Sequence, residues 1–180
     1  VAGAQVAEDT GRAHSIVQDT DGNLSSFRTI DLSADAATAS TGLINLDGIT
    51  DAVTGTTLKG VAAGQNTITG GAGVDSITGG SVSDTITGGD AADVLDGGAG
   101  DDTFVYTTMA QFVTGNSVVD SVTGGEGEAD KVQVDAEIQI VTGDSLTRVN
   151  TVEELVAGAQ VAEDTGRAHS IVQDTDGNLS

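Results

Sequence analysis

From residue 61 onward the chain repeats itself every nine residues, and this period constrains the fold more than any other feature of the sequence. The copies read VAAGQNTIT (61–69), GGAGVDSIT (70–78), GGSVSDTIT (79–87), GGDAADVLD (88–96) and GGAGDDTFV (97–105). The sixth position is Asn66, Asp75, Asp84, Asp93 and Asp102, and the eighth is Ile68, Ile77, Ile86, Leu95 and Phe104. Positions one and two are Gly-Gly in the last four copies. These follow G-G-x-G-x-D-x-U-x, where U is a large apolar residue, without a slip of register.

Each part of the period has a physical role. The last three positions suit a short strand, in which alternation turns only the apolar eighth residue inward. The first six must reverse the chain, and glycine tolerates the φ > 0 conformations such a turn needs. Two copies then make one coil of 18 residues whose strands stack in parallel, an all-β solenoid. Such a coil buries only two aliphatic side chains, little to set against the entropy of ordering it. Its stacked aspartates also repel one another. A divalent cation resolves both problems, because carboxylates and turn carbonyls are hard oxygen ligands suited to Ca²⁺. Copies two apart face the same edge, so Asp75 is expected beside Asp93 and Asp84 beside Asp102.

The block 70–105 resembles the RTX (repeats-in-toxin) calcium β-roll family. With its leader TGTTLKGVAAGQNTITGG and its exit GDDTFVY it is most similar to RTX-type surface-layer and adhesin proteins. The resemblance covers residues 61–105, a quarter of the chain. It implies a right-handed parallel β-roll, Ca²⁺ in the turns and type I secretion from a bacterium to the cell surface or beyond. The family's aspartate role carries onto Asp75, Asp84, Asp93 and Asp102. The turn residues Gly71, Gly73, Gly89, Asp90, Gly98 and Gly100 join the candidate ligand set. The sequence departs from the pattern at Val82 and Ala91, where the family prefers Gly, and at Asn66 in place of Asp. A ragged continuation follows in GNSVVDSVT (115–123) and GGEGEADKV (124–132). Asp120 falls at position six and Asp130 one residue late, and both, with Asn66, complete the candidates.

A second repeat is much longer. Residues 1–25 and 156–180 are identical, VAGAQVAEDTGRAHSIVQDTDGNLS, at an offset of 155. The chain therefore reads as one 155-residue unit and the start of the next, an excerpt of an array. With 28 acidic and 6 basic residues the formal charge is −22, which opposes compaction unless cations neutralise it. That balance also excludes nucleic acid or an anionic membrane as partner, both of which require Lys/Arg patches. No apolar run approaches the ~20 residues of a membrane span. The absence of Cys rules out disulfides and thiolate–zinc sites.

Five segments follow. Residues 1–28 are the start of the unit, a helix-like stretch and a hairpin turning at Asp21-Gly22-Asn23. Residues 29–60 form irregular coils with strands at TIDLS (29–33), GLINL (42–46) and TTLKG (56–60). Residues 61–105 are the nonapeptide roll. Residues 106–150 hold degenerate coils, a short helical turn in TTMAQFV (107–113), and strands at KVQV and EIQIV. Residues 151–180 open with a T-x-x-E capping box at Thr151 and Glu154, then Leu155, Val156, Ala159 and Ala162, which predicts a helix beginning the next unit.

No catalytic pattern emerges. His14, recurring as His169, has no Ser-His-Asp or Cys-His setting, and there is no H-E-x-x-H motif or phosphate loop. The chain is expected not to be an enzyme. It is expected to be an extracellular, calcium-dependent structural module of a filament, sheath, surface layer or adhesin stalk, whose partner is its own neighbouring unit, head to tail. The alternative is the calcium-folded secretion or chaperone module of an RTX toxin or secreted hydrolase. A minor alternative is ice binding by the outward Thr67/Thr69 and Thr85/Thr87 pairs, an array of only two full rungs.

Overall fold

The computed structural model describes residues 13–17, 28–36, 40–45, 55–115, 117–135 and 146–157. The N-terminal half runs through β1 (Ala13–Val17), β2 (Thr29–Asp31), β3 (Thr41–Asn45), β4 (Thr57–Lys59), β5 (Asn66–Thr69), β6 (Ser76–Gly80), β7 (Thr85–Thr87), β8 (Val94–Ala99) and β9 (Thr103–Tyr106). After the one-turn helix α1 (Met109–Phe112) come β10 (Val113–Thr114), β11 (Ser117–Val118), β12 (Ser121–Glu126), β13 (Lys131–Val134), β14 (Val149–Asn150) and β15 (Glu154–Ala157).

Apart from β10 and β11, consecutive strands do not pair with each other. They alternate between two parallel sheets, one ordered β1-β3-β5-β7-β9-β13-β15 and the other β14-β12-β8-β6-β4-β2. This is the parallel β-roll expected from the nonapeptide period. The pairing register stacks like on like. Ile16, Ile44, Ile68, Ile86, Phe104, Val132 and Leu155 line the inside of one sheet. Ile30, Leu58, Ile77, Leu95, Val122 and Val149 line the other. The two rows meet as one core, with Ile44, Leu58, Ile68, Ile86, Phe104 and Val122 fully buried. On the outer face Thr67 lies beside Thr85 and Thr69 beside Thr87, the two threonine rungs expected from the spacing.

The upstream strands at 29–31, 41–45 and 57–59, the short helix and KVQV form as expected. EIQIV lies outside the described residues. Between β9 and β12 the chain leaves the solenoid, adding α1 and the antiparallel pair β10–β11. Phe112 and Val118 of this excursion are buried, and the Tyr106 and Phe112 rings lie 5.1 Å apart.

Three expectations are corrected. The T-x-x-E signal does not start a helix at 151: β14 and β15 flank it, and residues 154–157 are strand. The Thr151 hydroxyl accepts the Gly125 N–H from the preceding coil instead of capping its own turn. Packing of Leu155 beside Val132 then sets a strand period. The remainder of that segment, like its equivalent at the start of the chain, lies outside the described residues. Nor do β1 and β2 form a hairpin. They belong to different sheets, with β1 parallel to β3, and the 21–23 turn lies outside the described residues. Finally, His14, which the sequence leaves without an evident partner, has one. Its Nε2 lies 2.7 Å from Asp35 Oδ2, which also accepts the Ser40 hydroxyl. Among the described residues no helix is long and apolar enough to cross a membrane.

Candidate metal centre

The sixth position directly precedes a strand in the last four nonapeptides and opens one at Asn66, so its side chain turns into the coil's corner. Corners two copies apart stack, and each aspartate's backbone N–H reaches Oδ1 of the aspartate on the following coil. Asp75 donates to Asp93 at 2.8 Å and Asp93 to Asp120 at 2.8 Å along one edge. Along the other, Asn66 donates to Asp84 at 2.6 Å, Asp84 to Asp102 at 2.7 Å and Asp102 to Asp130 at 2.7 Å. Spacings of 27 and 28 residues at the last steps, in place of 18, show the ladders passing across the α1 excursion and the extra residue of GGEGEAD without losing register. Thr56 starts the first ladder by donating to Asp75 Oδ1, and Glu153 ends the second by accepting the Asp130 N–H at 2.9 Å.

Oδ1 is thus committed to the backbone, and Oδ2 is the oxygen available to a ligand. In Asp84, Asp93, Asp102 and Asp130 it is buried with no hydrogen-bond partner. Leaving a buried carboxylate oxygen unpaired costs several kcal/mol on the order of magnitude known for such groups. The glycines explain how it fits there. A Cβ on Gly79, Gly88 or Gly97, the first of each pair, would collide with Oδ2 of Asp84, Asp93 or Asp102. The second glycines, Gly89 and Gly98, have φ +112° and +102° and lie against the carbonyl oxygens of Gly71 and Gly80 on the previous coil. A carboxylate oxygen and a backbone carbonyl of the next coil converge at the corners of Asp75, Asp84, Asp102 and Asp130, an all-oxygen donor set that fits a hard divalent cation. Among the described residues no three acidic, His or Cys side chains converge on one point, so backbone oxygens and water have to supply most of any coordination shell.

The electrostatics agree. Burial pushes Asp84 up to about 6 and both Asp93 and Asp102 up to about 7, against the partial relief of their backbone N–H donors. Burial also raises Asp120 and Asp130. Neighbouring carboxylates add to the rise at Asp93, Asp102 and Asp130. A cation relieves both penalties.

Two corners are closed by the protein's own hydrogen atoms. Asn66 Nδ2 donates to Val61 O at 3.1 Å, Gly64 O at 3.0 Å and Asp84 Oδ1 at 3.0 Å, while its Oδ1 accepts the Val61 N–H at 2.7 Å. An amide NH₂ there gathers the kind of acceptors a cation would. At the other edge the Tyr106 hydroxyl donates to Asp120 Oδ2 at 2.9 Å.

Of the remaining sequence candidates, Gly71 donates its N–H to Asp75 Oδ2 at 2.9 Å and accepts from the Asp90 N–H at 3.2 Å. Gly73 is buried in the same turn. Gly100, at φ +98°, backs onto Val82 and Ser83. The Asp90 carboxylate is outside the ladder, exposed and held by Gln111 at 3.0 Å. Sequence reasoning brought together Asp75, Asp84, Asp93, Asp102, Asp120 and Asp130 and missed Thr56, Tyr106 and Glu153. Only Tyr106 carried a usable signal, as an aromatic at the first residue past a nonapeptide.

A family model described as the RTX calcium-binding nonapeptide repeat matches residues 62–85 and 78–106. No curated protein and no solved structure matches the chain. The matched quarter of the chain holds Asp75, Asp84, Asp93 and Asp102, the middle of both aspartate ladders. The chain therefore carries RTX calcium-binding nonapeptide repeats, folded as a parallel β-roll, and the ion they bind is Ca²⁺.

Proposed function

We propose that this chain is a non-catalytic, extracellular structural module that calcium folds, one unit of a head-to-tail array. The observation that carries the calcium part is the row of buried, unpartnered Oδ2 atoms at Asp84, Asp93, Asp102 and Asp130. Asp84, Asp93 and Asp102 would hold the ions with the turn carbonyls beside them, and the ions would supply charge neutralisation across successive coils. RTX repeats are typical of type I secreted bacterial proteins, which meet calcium only after export. A chain with a formal charge of −22 would then stay open inside the cell and close outside it.

The array is supported by the identical segments 1–25 and 156–180 and by the parallel edges of the sheets. A parallel strand edge offers unpaired N–H and C=O groups to a following coil. A non-closing head-to-tail relation between units produces a filament.

The test combines circular dichroism with electron microscopy of the whole chain. In millimolar calcium we expect a β-rich spectrum and end-to-end assemblies, and in chelator a much weaker β signal from a marginally stable fold and no assemblies. A spectrum unchanged by EGTA would remove the calcium-folding part. A strictly monomeric calcium form would remove the array.

A further inference from the structure

The charge of the roll is unevenly spread over its surface. Not one outward residue of β1, β3, β5, β7 and β9 is charged, and threonines fill most of the face from β5 to β9. Beyond them Lys131 of β13 lies beside Glu154 of β15, so the two charges cancel. The outer face of the other sheet carries Asp31, Lys59 and Asp96. The exposed turns carry Asp90, Asp101, Glu126 and Glu128. A chain with a formal charge of −22 thus keeps one sheet face neutral. That face also exposes apolar side chains, Val17 by 54% and Leu43 by 37%, on adjacent strands.

We propose that this neutral face is a lateral contact with a second copy of the chain, side by side rather than end to end. Charge decides the partner. A cationic partner gains nothing here and settles on the acidic turns and the other sheet. Two copies that meet through those surfaces set carboxylate against carboxylate, which is costly. Among the described residues the β1–β9 face is the broad surface through which two such polyanions can touch without that cost, and salt screens the carboxylates farther off. A two-fold axis through β5, the middle of the five strands, opposes the patch to itself. It lays Val17 of each copy over β9 of the other and Leu43 over β7, apolar groups against threonine methyls and Val105. Five strands about 4.8 Å apart make a face roughly 24 Å long and about 10 Å wide. That area, about 240 Å² on each copy, falls short of the roughly 800 Å² per partner of a stable interface. One unit therefore pairs weakly. On the reading that units form an array, the face recurs every 155 residues and avidity makes the lateral contact strong.

Small-angle X-ray scattering of the whole chain in calcium, across a concentration series, separates the two contacts. End-to-end growth leaves the mass per unit length unchanged, whereas lateral pairing doubles it. We expect the wild type to climb toward that doubling as concentration rises. Thr67 is exposed, lies on the middle strand and follows Asn66 rather than a ladder aspartate. Thr67→Glu and Thr67→Lys each set like charges across the axis and should hold the mass per unit length at the single value. An equal mixture of the two sets Glu against Lys and should restore the rise. Circular dichroism in calcium checks that the variants fold, and if they do not, Leu43→Glu and Leu43→Lys carry the same test on β3. A wild type whose mass per unit length never rises overturns the contact and leaves the array standing if the particles still lengthen. Calcium bridging of the acidic surfaces would raise both Thr67 variants as far as the wild type, which also overturns it. So does a mixture that stays at the single value. A rise without lengthening upholds the lateral contact and removes the array.

Discussion

The Tyr106 hydroxyl hydrogen-bonds Oδ2 of Asp120 at 2.9 Å, so Asp120 is a buried member of a ladder whose second oxygen is already satisfied. Burial and the Asp120 charge both hold the phenol in its protonated state, so the hydroxyl remains a donor. Tyr106→Phe keeps the ring packed on Phe112 and removes only that donor. In chelator it should destabilise the chain by about 1–3 kcal/mol, the cost of an orphaned buried acceptor. In calcium much of the loss should return as the freed Oδ2 becomes available to an ion. Urea unfolding in both conditions tests this, and equal losses with and without calcium would show that Tyr106 has no part in substituting for an ion.

Asn66→Asp makes the reverse exchange. It replaces an NH₂ that donates to Val61 O, Gly64 O and Asp84 Oδ1 with a carboxylate oxygen facing the same acceptors. Without calcium the variant should lose at least ~2 kcal/mol, since a buried charge is left unpaired. In calcium it should bind one ion more than the wild type. An unchanged calcium count would mean that the corner cannot accept an ion.

The raised carboxylates set the direction of the pH response. Asp84, Asp93 and Asp102 move from an ordinary value of 3.8 to about 6, 7 and 7 in the folded chain. Between those limits the folded state holds protons that the unfolded state has released, so stability falls as pH rises. Protein stripped of calcium on a chelating resin should therefore have its highest melting temperature at the acid end. The value should decline through pH 6–7 and level off above. Calcium must displace these protons, so its affinity should rise over the same window. Titration calorimetry near neutral pH, in buffers of different ionisation enthalpy, should register proton release. Calcium-free stability that increases from pH 5 to 8 would contradict the assignment.

Ala91 has φ +77° at the turn position where Gly100 has φ +98°. An L-residue there carries roughly 1 kcal/mol of strain. Ala91→Gly should raise stability in calcium by about that amount, partly offset by the greater entropy of the unfolded glycine chain. Thermal melts would detect it, and a destabilised variant would mean that the alanine methyl contributes packing worth more than its strain.

The parts of the architecture that were legible in the sequence are those governed by a strict period. Nine residues with Asp sixth and an aliphatic eighth dictate the alternating sheets, the stacked Ile68 and Ile86, and the stacked Asp84 and Asp102. Asp120 and Asp130 remained legible because the pattern survives around them even where the spacing stretches. What escaped depends on contacts between coils. Thr151 carries a helix-capping signal, but its hydroxyl is claimed by Gly125 of another coil. The Asp21-Gly22 pair signals a hairpin locally, whereas solenoid alternation sends β1 and β2 to opposite sheets. Glu153 and Thr56 have no motif around them. They join the ladders only because coil register brings them to the corners. His14 looked solitary because its partner Asp35 is 21 residues away on an irregular coil.

Every rung of both ladders points the same way: the donor is on the earlier coil and the acceptor on the later one. The two ends of the roll are therefore not chemically equivalent. Backbone bonds at the same corners run the other way, from the N–H of Val94 to Asp75 O and from that of Thr103 to Asp84 O. A coil bared on its N-terminal side therefore offers carboxylate oxygens and strand N–H groups, both of which another stretch of backbone can satisfy. A coil bared on its C-terminal side has corner N–H groups that want a side-chain acceptor, the role Glu153 fills for Asp130. Whatever covers that end has to bring a carboxylate or amide oxygen to the corner, and whatever covers the other end does not.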